Sequence, residues 1–211
     1  MPGPTTLDAL DLAALLCSRV CHDLISPVGA IVNGLEVLDE QNDEATKTFA
    51  LDLIRKSARQ ASARLQFCRL AFGAAGSAGA SIDLGDAHGV ARGFIEDDKT
   101  KLTWNLPRLL LPKNRVKLLL NMLLMSGQVI PRGGMLTVEP LGEGETMGFR
   151  VVATGLNARI PQAIPALLSG EVEGLPDAHG IQPFYTGLLA RTCGLTVTLA
   201  PEGEAVVVST Q

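Results

Sequence analysis

Basic residues are outnumbered in this chain: 18 Lys and Arg face 22 Asp and Glu, for a formal net charge of -4. A nucleic-acid binder displays a basic stripe, so that class is disfavoured and protein partners are expected instead. A secretory N-terminus is also missing, because MPGPTTLDAL is polar and carries an acid where basic and then apolar residues belong. The longest apolar run, VKLLLNMLLMSGQVI, is too short and too interrupted to cross a bilayer. A cytoplasmic protein without membrane attachment is the expectation. The four cysteines, Cys17, Cys21, Cys68 and Cys193, form no C-x-x-C pair and read as buried, reduced thiols. Cys17 and Cys21 lie one helical turn apart with His22 beside them. Positions 21 and 22 point in different directions on a helix and no fourth ligand is apparent, so no metal is expected there. Internal repeats are absent.

What the chain does have is length and apolar content: 211 residues, 46% hydrophobic, suffice for one large domain or two small ones. Leu10, Ala13, Cys17, Val20, Leu24, Val28, Ile31, Leu35 and Leu38 recur in steps of three and four. That spacing predicts a helix of about eight turns with one apolar stripe. Asp8 is its expected N-cap, and the polar stretch DEQNDEA, with a turn centred near Asn42, its end. A second long helix, antiparallel to the first, follows from Phe49, Ala50, Ile54, Ala58, Ala61, Leu65, Cys68 and Phe72. It stops at GAAGSAGAS, which reads as a linker. Two domains are therefore expected, a helical hairpin over 1–74 and a mixed domain over 82–211.

Beyond the linker the pattern alternates. KLTWNL reads as a strand and residues 114–129 as an apolar helix; MLTVEPLGEGETMGFRVVATG contains two strands around a glycine turn. A helix across 184–193 and a final hairpin of LTVTLA and AVVVST around PEGE complete the chain. Mixed strands with helices on one face describe an α+β sandwich.

Within the first helix the stretch C-H-D-L-I-S-P places Pro27 where a helix interior loses about 3 kcal/mol. At about 100° per residue His22 faces away from the apolar stripe and is expected in solvent. Pro27, one and a half turns on, bends the helix and frees carbonyls near the histidine. Asp23 can accept from an imidazole N–H and fix which ring nitrogen is nucleophilic. The small residues Ala58, Ala61, Ser62 and Ala63 lie alongside and leave the ring accessible. Arg19, Arg55, Arg59 and Arg64 at neighbouring levels favour an anionic group there.

The sequence H-D-L-x-x-P-V resembles the phosphoacceptor box of two-component histidine kinases. The resemblance implies that His22 is the phosphoacceptor, with Asp23 assisting, on a hairpin that dimerises into a four-helix bundle. It also implies that the second domain is an α/β sandwich like the kinases' ATP-binding domain. The nucleotide signature is nevertheless broken. Asn121 matches the first asparagine of the magnesium-binding helix, but Met125 occupies the second, and a thioether does not serve a hard cation. In VVATGLNARIP the adenine-binding aspartate falls on Ala153, and the lid glycines Gly180 and Gly187 are too far apart to cradle a phosphate, so each reads as a turn glycine.

A kinase-like hairpin with an intact histidine and a degenerate ATPase-like domain is similar to the dimeric histidine phosphotransferases. The resemblance implies a phosphorelay. Its expected partners are the receiver domain of an upstream hybrid histidine kinase and downstream response regulators, which would dock on Arg19, Ser26, Arg59 and Ser62. No cofactor of its own is expected, the receiver supplying magnesium. Two other readings stay open: an active histidine kinase with a divergent ATP site, and a non-enzymatic dimeric scaffold.

Overall fold

The computed structural model describes residues 7–40, 43–73, 80–171 and 174–211. Helix α1 (Ala9–Glu40) starts where Asp8 Oδ1 accepts from the N–H groups of Leu10 and Asp11, as expected of an N-cap. Asp43 opens α2 (Glu44–Ala71) in the same way, accepting from the Thr46 N–H and hydroxyl. Those bonds, the backbone one foremost, hold its carboxyl below the usual carboxylate range. The turn near Asn42 lies outside the described residues, as does most of the expected linker.

The rest of the chain runs β1 (Ser81–Asp83), α3 (Leu84–Ile95), β2 (Thr100–Trp104), β3 (Leu110–Pro112), α4 (Lys113–Val129), β4 (Gly134–Leu141), β5 (Gly148–Thr154), α5 (Ile164–Ser169), α6 (Ile181–Thr192), β6 (Val197–Glu202) and β7 (Ala205–Thr210). Five strands form one sheet in the order β2-β4-β5-β7-β6, parallel only between β2 and β4; β1 and β3 form a separate antiparallel pair. Alternation along β5 sends Phe149, Val151 and Ala153 into the core, while Arg150, on the other face, pairs with Glu139 of the adjacent β4 and with Glu202 of β6, two strands away. The architecture is thus a helical hairpin followed by a sheet layered with helices, an α+β fold.

Helix α4 supplies the centre of the core. Of its residues, Leu118, Leu119, Leu120, Met122, Leu123 and Met125 are fully buried. The hairpin is joined to this core at two places. Phe67 and Ala71 of α2 belong to the same apolar cluster as α4, and Phe67 stacks on Phe94 of α3 with ring centroids 4.2 Å apart. Near its N-terminus α1 lays Leu12, Leu15 and Leu16 on Leu167, Ile181 and Phe184 of α5 and α6.

The hairpin itself departs from the expected stripe. The buried residues of α1 are Asp23, Pro27 and Gly34, whereas Leu10, Val28 and Leu35 of the stripe are 83%, 48% and 49% exposed. Gly34 explains the offset: a Cβ there would lie 2.6 Å from Ile54 Cγ1, so α2 approaches α1 along the line of its smallest residue. The stripe residues Val20, Leu24, Ile31 and Leu38 are half-buried, and the others face outward. Two cysteines follow suit, since Cys17 and Cys21 are exposed rather than buried, and Cys193 is half-buried. Cys68 alone of the four is buried, and that burial pushes its thiol up to about 11.

By length and composition α1 is apolar enough for a bilayer, with mean hydropathy 1.4 over its best window. Its packing along α2 and its own Arg19–Asp23 ion pair suit a water-facing hairpin instead.

Candidate functional site

Residue 27, a proline, has no N–H to donate, so the carbonyl of Asp23, four residues back, is left without its helical partner. Arg64 of α2 fills the place, its guanidinium donating to the Asp23 carbonyl oxygen. The proline is thereby tolerated in an unbroken helix, and the two helices are tied together one residue from His22. A hydrogen bond to a charged donor is worth about 1.5–3 kcal/mol, comparable with the cost of the proline.

The Asp23 side chain is nearly buried and lies between two partners. Its Oδ2 accepts from Arg19 Nε at 3.1 Å, and its Oδ1 faces His22 Nδ1 at 3.5 Å. The second distance marks an electrostatic contact more than a strong hydrogen bond, and such contacts tighten when substrate docks. With Nδ1 turned toward the carboxylate, Nε2 is the ring nitrogen left to react. The His22 side chain is 65% exposed, as the helical phase requires. The imidazole therefore has one nitrogen facing a carboxylate and a side chain largely in solvent, with two guanidinium groups, Arg19 and Arg64, fixed close by.

The remaining sequence candidates separate into two groups. Arg19 and Asp23 assemble with His22; Ser26, one turn along α1, is exposed on the same helix. Arg59 and Ser62 belong to α2 and line a groove of about 430 Å³ against Gly89, Val90 and Gly93 of α3. Ser62 accepts from Gln66 Nε2, and Arg59 forms no hydrogen bond or ion pair among the described residues. Arg55 pairs with Asp52 on the surface.

Two neighbours of His22 were not among the sequence candidates. Arg64 was counted only among the nearby positive charges, although the missing N–H of Pro27 was the signal that some donor must answer the Asp23 carbonyl. His179, in the segment before α6, places its ring edge-on to the His22 ring, with centroids 5.4 Å apart and planes at 66°. No local pattern announces it.

At the positions corresponding to a kinase nucleotide site the side chains are spent on packing. Met125 and Ala153 are fully buried. Asn121 is also fully buried, donates to the carbonyls of Ala71 and Lys117, and receives Gln182 Nε2 at its own carbonyl. Gly187 is not a turn glycine as expected from the sequence. It sits inside α6, where a Cβ would meet the Leu168 carbonyl oxygen at 2.1 Å, so it permits the close crossing of α5 and α6. Gly180 stands at the start of α6.

Comparison with known proteins agrees with this arrangement. Residues 84–205 match the family model of the histidine phosphotransferase C-terminal domain. The chain is similar to the protein phosphotransferase ChpT of Brucella abortus (strain 2308), 51% identical over 212 residues and covering 100% of both chains. It is also similar to a bacterial phosphotransferase solved at 1.7 Å, with a TM-score of 0.89, 49% identity and 100% coverage of each chain. A fainter likeness, at a TM-score of 0.43 and 18% identity, extends to full-length ShkA in complex with AMPPNP, over 92% of this chain and 44% of that one.

Proposed function

We propose, from the premise that this chain belongs to the histidine phosphotransferase family, that His22 is the residue through which it relays phosphoryl groups. The chain is a protein phosphotransferase of two-component signalling. In the relay reading, His22 Nε2 attacks the aspartyl phosphate of a receiver domain in line. The bond between phosphorus and the carboxylate oxygen breaks, the N–P bond forms, and the receiver's aspartate leaves as a carboxylate. Asp23, at Nδ1, holds the remaining ring proton in place. The reverse displacement passes the group to the aspartate of a response regulator. Magnesium belongs to the receiver, and this chain contributes position and a docking surface.

The observation that carries this reading is the His22 imidazole, largely in solvent and backed by the Arg19–Asp23 pair on a helix braced by Arg64. Arg19, Ser26, Arg59 and Ser62 are the proposed receiver contacts. The experiment mixes the protein with a phosphorylated receiver domain. Acid-labile label at His22 is expected, and its absence would overturn the assignment.

The protein works in this reading as a cytoplasmic homodimer. Support comes from Ile25, Val28, Val32 and Leu35, which are spaced as a seam on α1 and 48% to 71% exposed. The residues at the nucleotide positions do not fit ATP and magnesium: Met125 offers sulfur, Ala153 offers no acceptor, and the Asn121 amide is already bonded. No step runs through ATP, and calorimetric titration with ATP and magnesium should give no saturable heat.

A further inference from the structure

Resting on the assignment of His22, we infer that His179 is a positioning residue for the phosphoacceptor imidazole, so that the second domain forms part of the transfer site. Among the described residues His22 has no hydrogen bond or ion pair with a residue outside α1, and the His179 ring is the aromatic ring set against its own. An exposed histidine turns freely about its side-chain bonds, and a 3.5 Å contact with Asp23 restrains it weakly. An aromatic edge against the ring removes part of that freedom and keeps Nε2 facing outward.

His179 is itself well held. Asp177 Oδ1 accepts from the His179 N–H at 3.0 Å and from the Gly180 N–H at 2.7 Å, and the Ile181 N–H bonds to the Asp177 carbonyl. Those N–H groups, that of Gly180 first, keep the Asp177 carboxyl below its ordinary range. From Gly180 the chain enters α6, whose Ile181 and Phe184 pack with Leu167 against Leu12, Leu15 and Leu16 of α1. The helix that bears His22 thus also anchors the segment that bears His179. A domain whose nucleotide positions are filled by core packing retains in this way a direct part in the chemistry: it limits where the reactive ring can point.

The test uses the full-length protein and potassium phosphoramidate, which phosphorylates imidazole with loss of ammonia and needs no partner protein. Label at His22 is followed by mass spectrometry. His179 is exposed, so its substitution leaves the fold in place. His179→Ala is expected to lower the limiting rate of labelling on the order of threefold to tenfold, as the release of one ordered side chain would, with the half-saturating phosphoramidate concentration unchanged. His179→Phe, which keeps a ring, restores the rate. In carbon-detected NMR the His22 ring signals should move in His179→Ala and return in His179→Phe. Wild-type rates and unmoved His22 signals in His179→Ala would overturn the inference, and so would a Phe variant as slow as Ala. His22→Ala with a phosphorylated receiver domain as donor serves as the separate control: persistence of acid-labile label in that protein would sink the phosphoacceptor assignment, whatever His179 does.

Discussion

Helices α1 and α4 are both rich in apolar residues, yet burial selects opposite things in them. Of the 17 residues of α4, twelve are buried, and most are aliphatic. Of the 32 residues of α1, three are buried, and they are an aspartate, a proline and a glycine. Helix α4 spends its apolar side chains on the core of one chain. Helix α1 buries Asp23 and Pro27 beside His22, and leaves its apolar stripe half-buried at Val20, Leu24, Ile31 and Leu38 and exposed at Leu10, Val28 and Leu35. Helix α4 also buries Lys117, Asn121 and Ser126, but among aliphatic neighbours; in α1 no leucine, isoleucine or valine is buried with Asp23.

The sharpest way to break this contrast is His22→Ala. Phosphoryl acceptance should be abolished while the unfolding free energy changes by no more than about 0.5 kcal/mol, because an exposed side chain contributes little packing. Transfer from a phosphorylated receiver and a denaturant melt on the same preparation check both halves.

Next in size is the outward stripe of α1. Val28→Glu places a charge in the seam proposed to join two copies, and light scattering should report loss of the dimer. An unchanged mass would leave the exposed stripe without a function in self-association.

The scaffold side is probed at Gly187. Gly187→Ala forces a methyl group against the Leu168 carbonyl and should destabilise the protein by about 1–3 kcal/mol. His22 should remain competent at temperatures where the variant is folded. Nucleotide binding should not appear.

The smallest effect sharpens the site's own architecture. Arg64→Ala strands the Asp23 carbonyl and should cost about 1.5 kcal/mol or somewhat more. In a Pro27→Ala background residue 27 regains an N–H that can serve that carbonyl, so the same arginine removal should cost less. A double-mutant cycle by chemical denaturation would show a coupling of about 0.5 kcal/mol or greater. Additive effects would mean that Arg64 braces α1 by some other contact.

Much of this was legible locally. The helical phase of His22 and the cap at Asp8 each depend on spacing within one element, whereas Met125 and Ala153 stand out only through the resemblance to the kinases, and the short elements β1, β3 and α5 carry no periodicity long enough to read. Other features were misread for a common reason. Cys17 and Cys21 read as buried thiols but stand exposed, because periodicity identifies a stripe without saying what lies against it. Gly187 looked like a turn residue because a glycine chosen for close helix crossing carries the same letter as one chosen for its backbone angles.

The sequence by itself determined that a histidine would stand exposed on a helix with a carboxylate beside it and a broken hydrogen-bond ladder below, since 3.6 residues per turn and the missing proline N–H act within a few residues. Only the tertiary structure decided which groups answer those local facts. Arg64 reaches the Asp23 carbonyl across a separation of 41 residues, and His179 meets the His22 ring from the segment before α6. Such pairings are set by how α2 and α6 pack on α1, a balance of burial over the whole chain that no short stretch of residues contains.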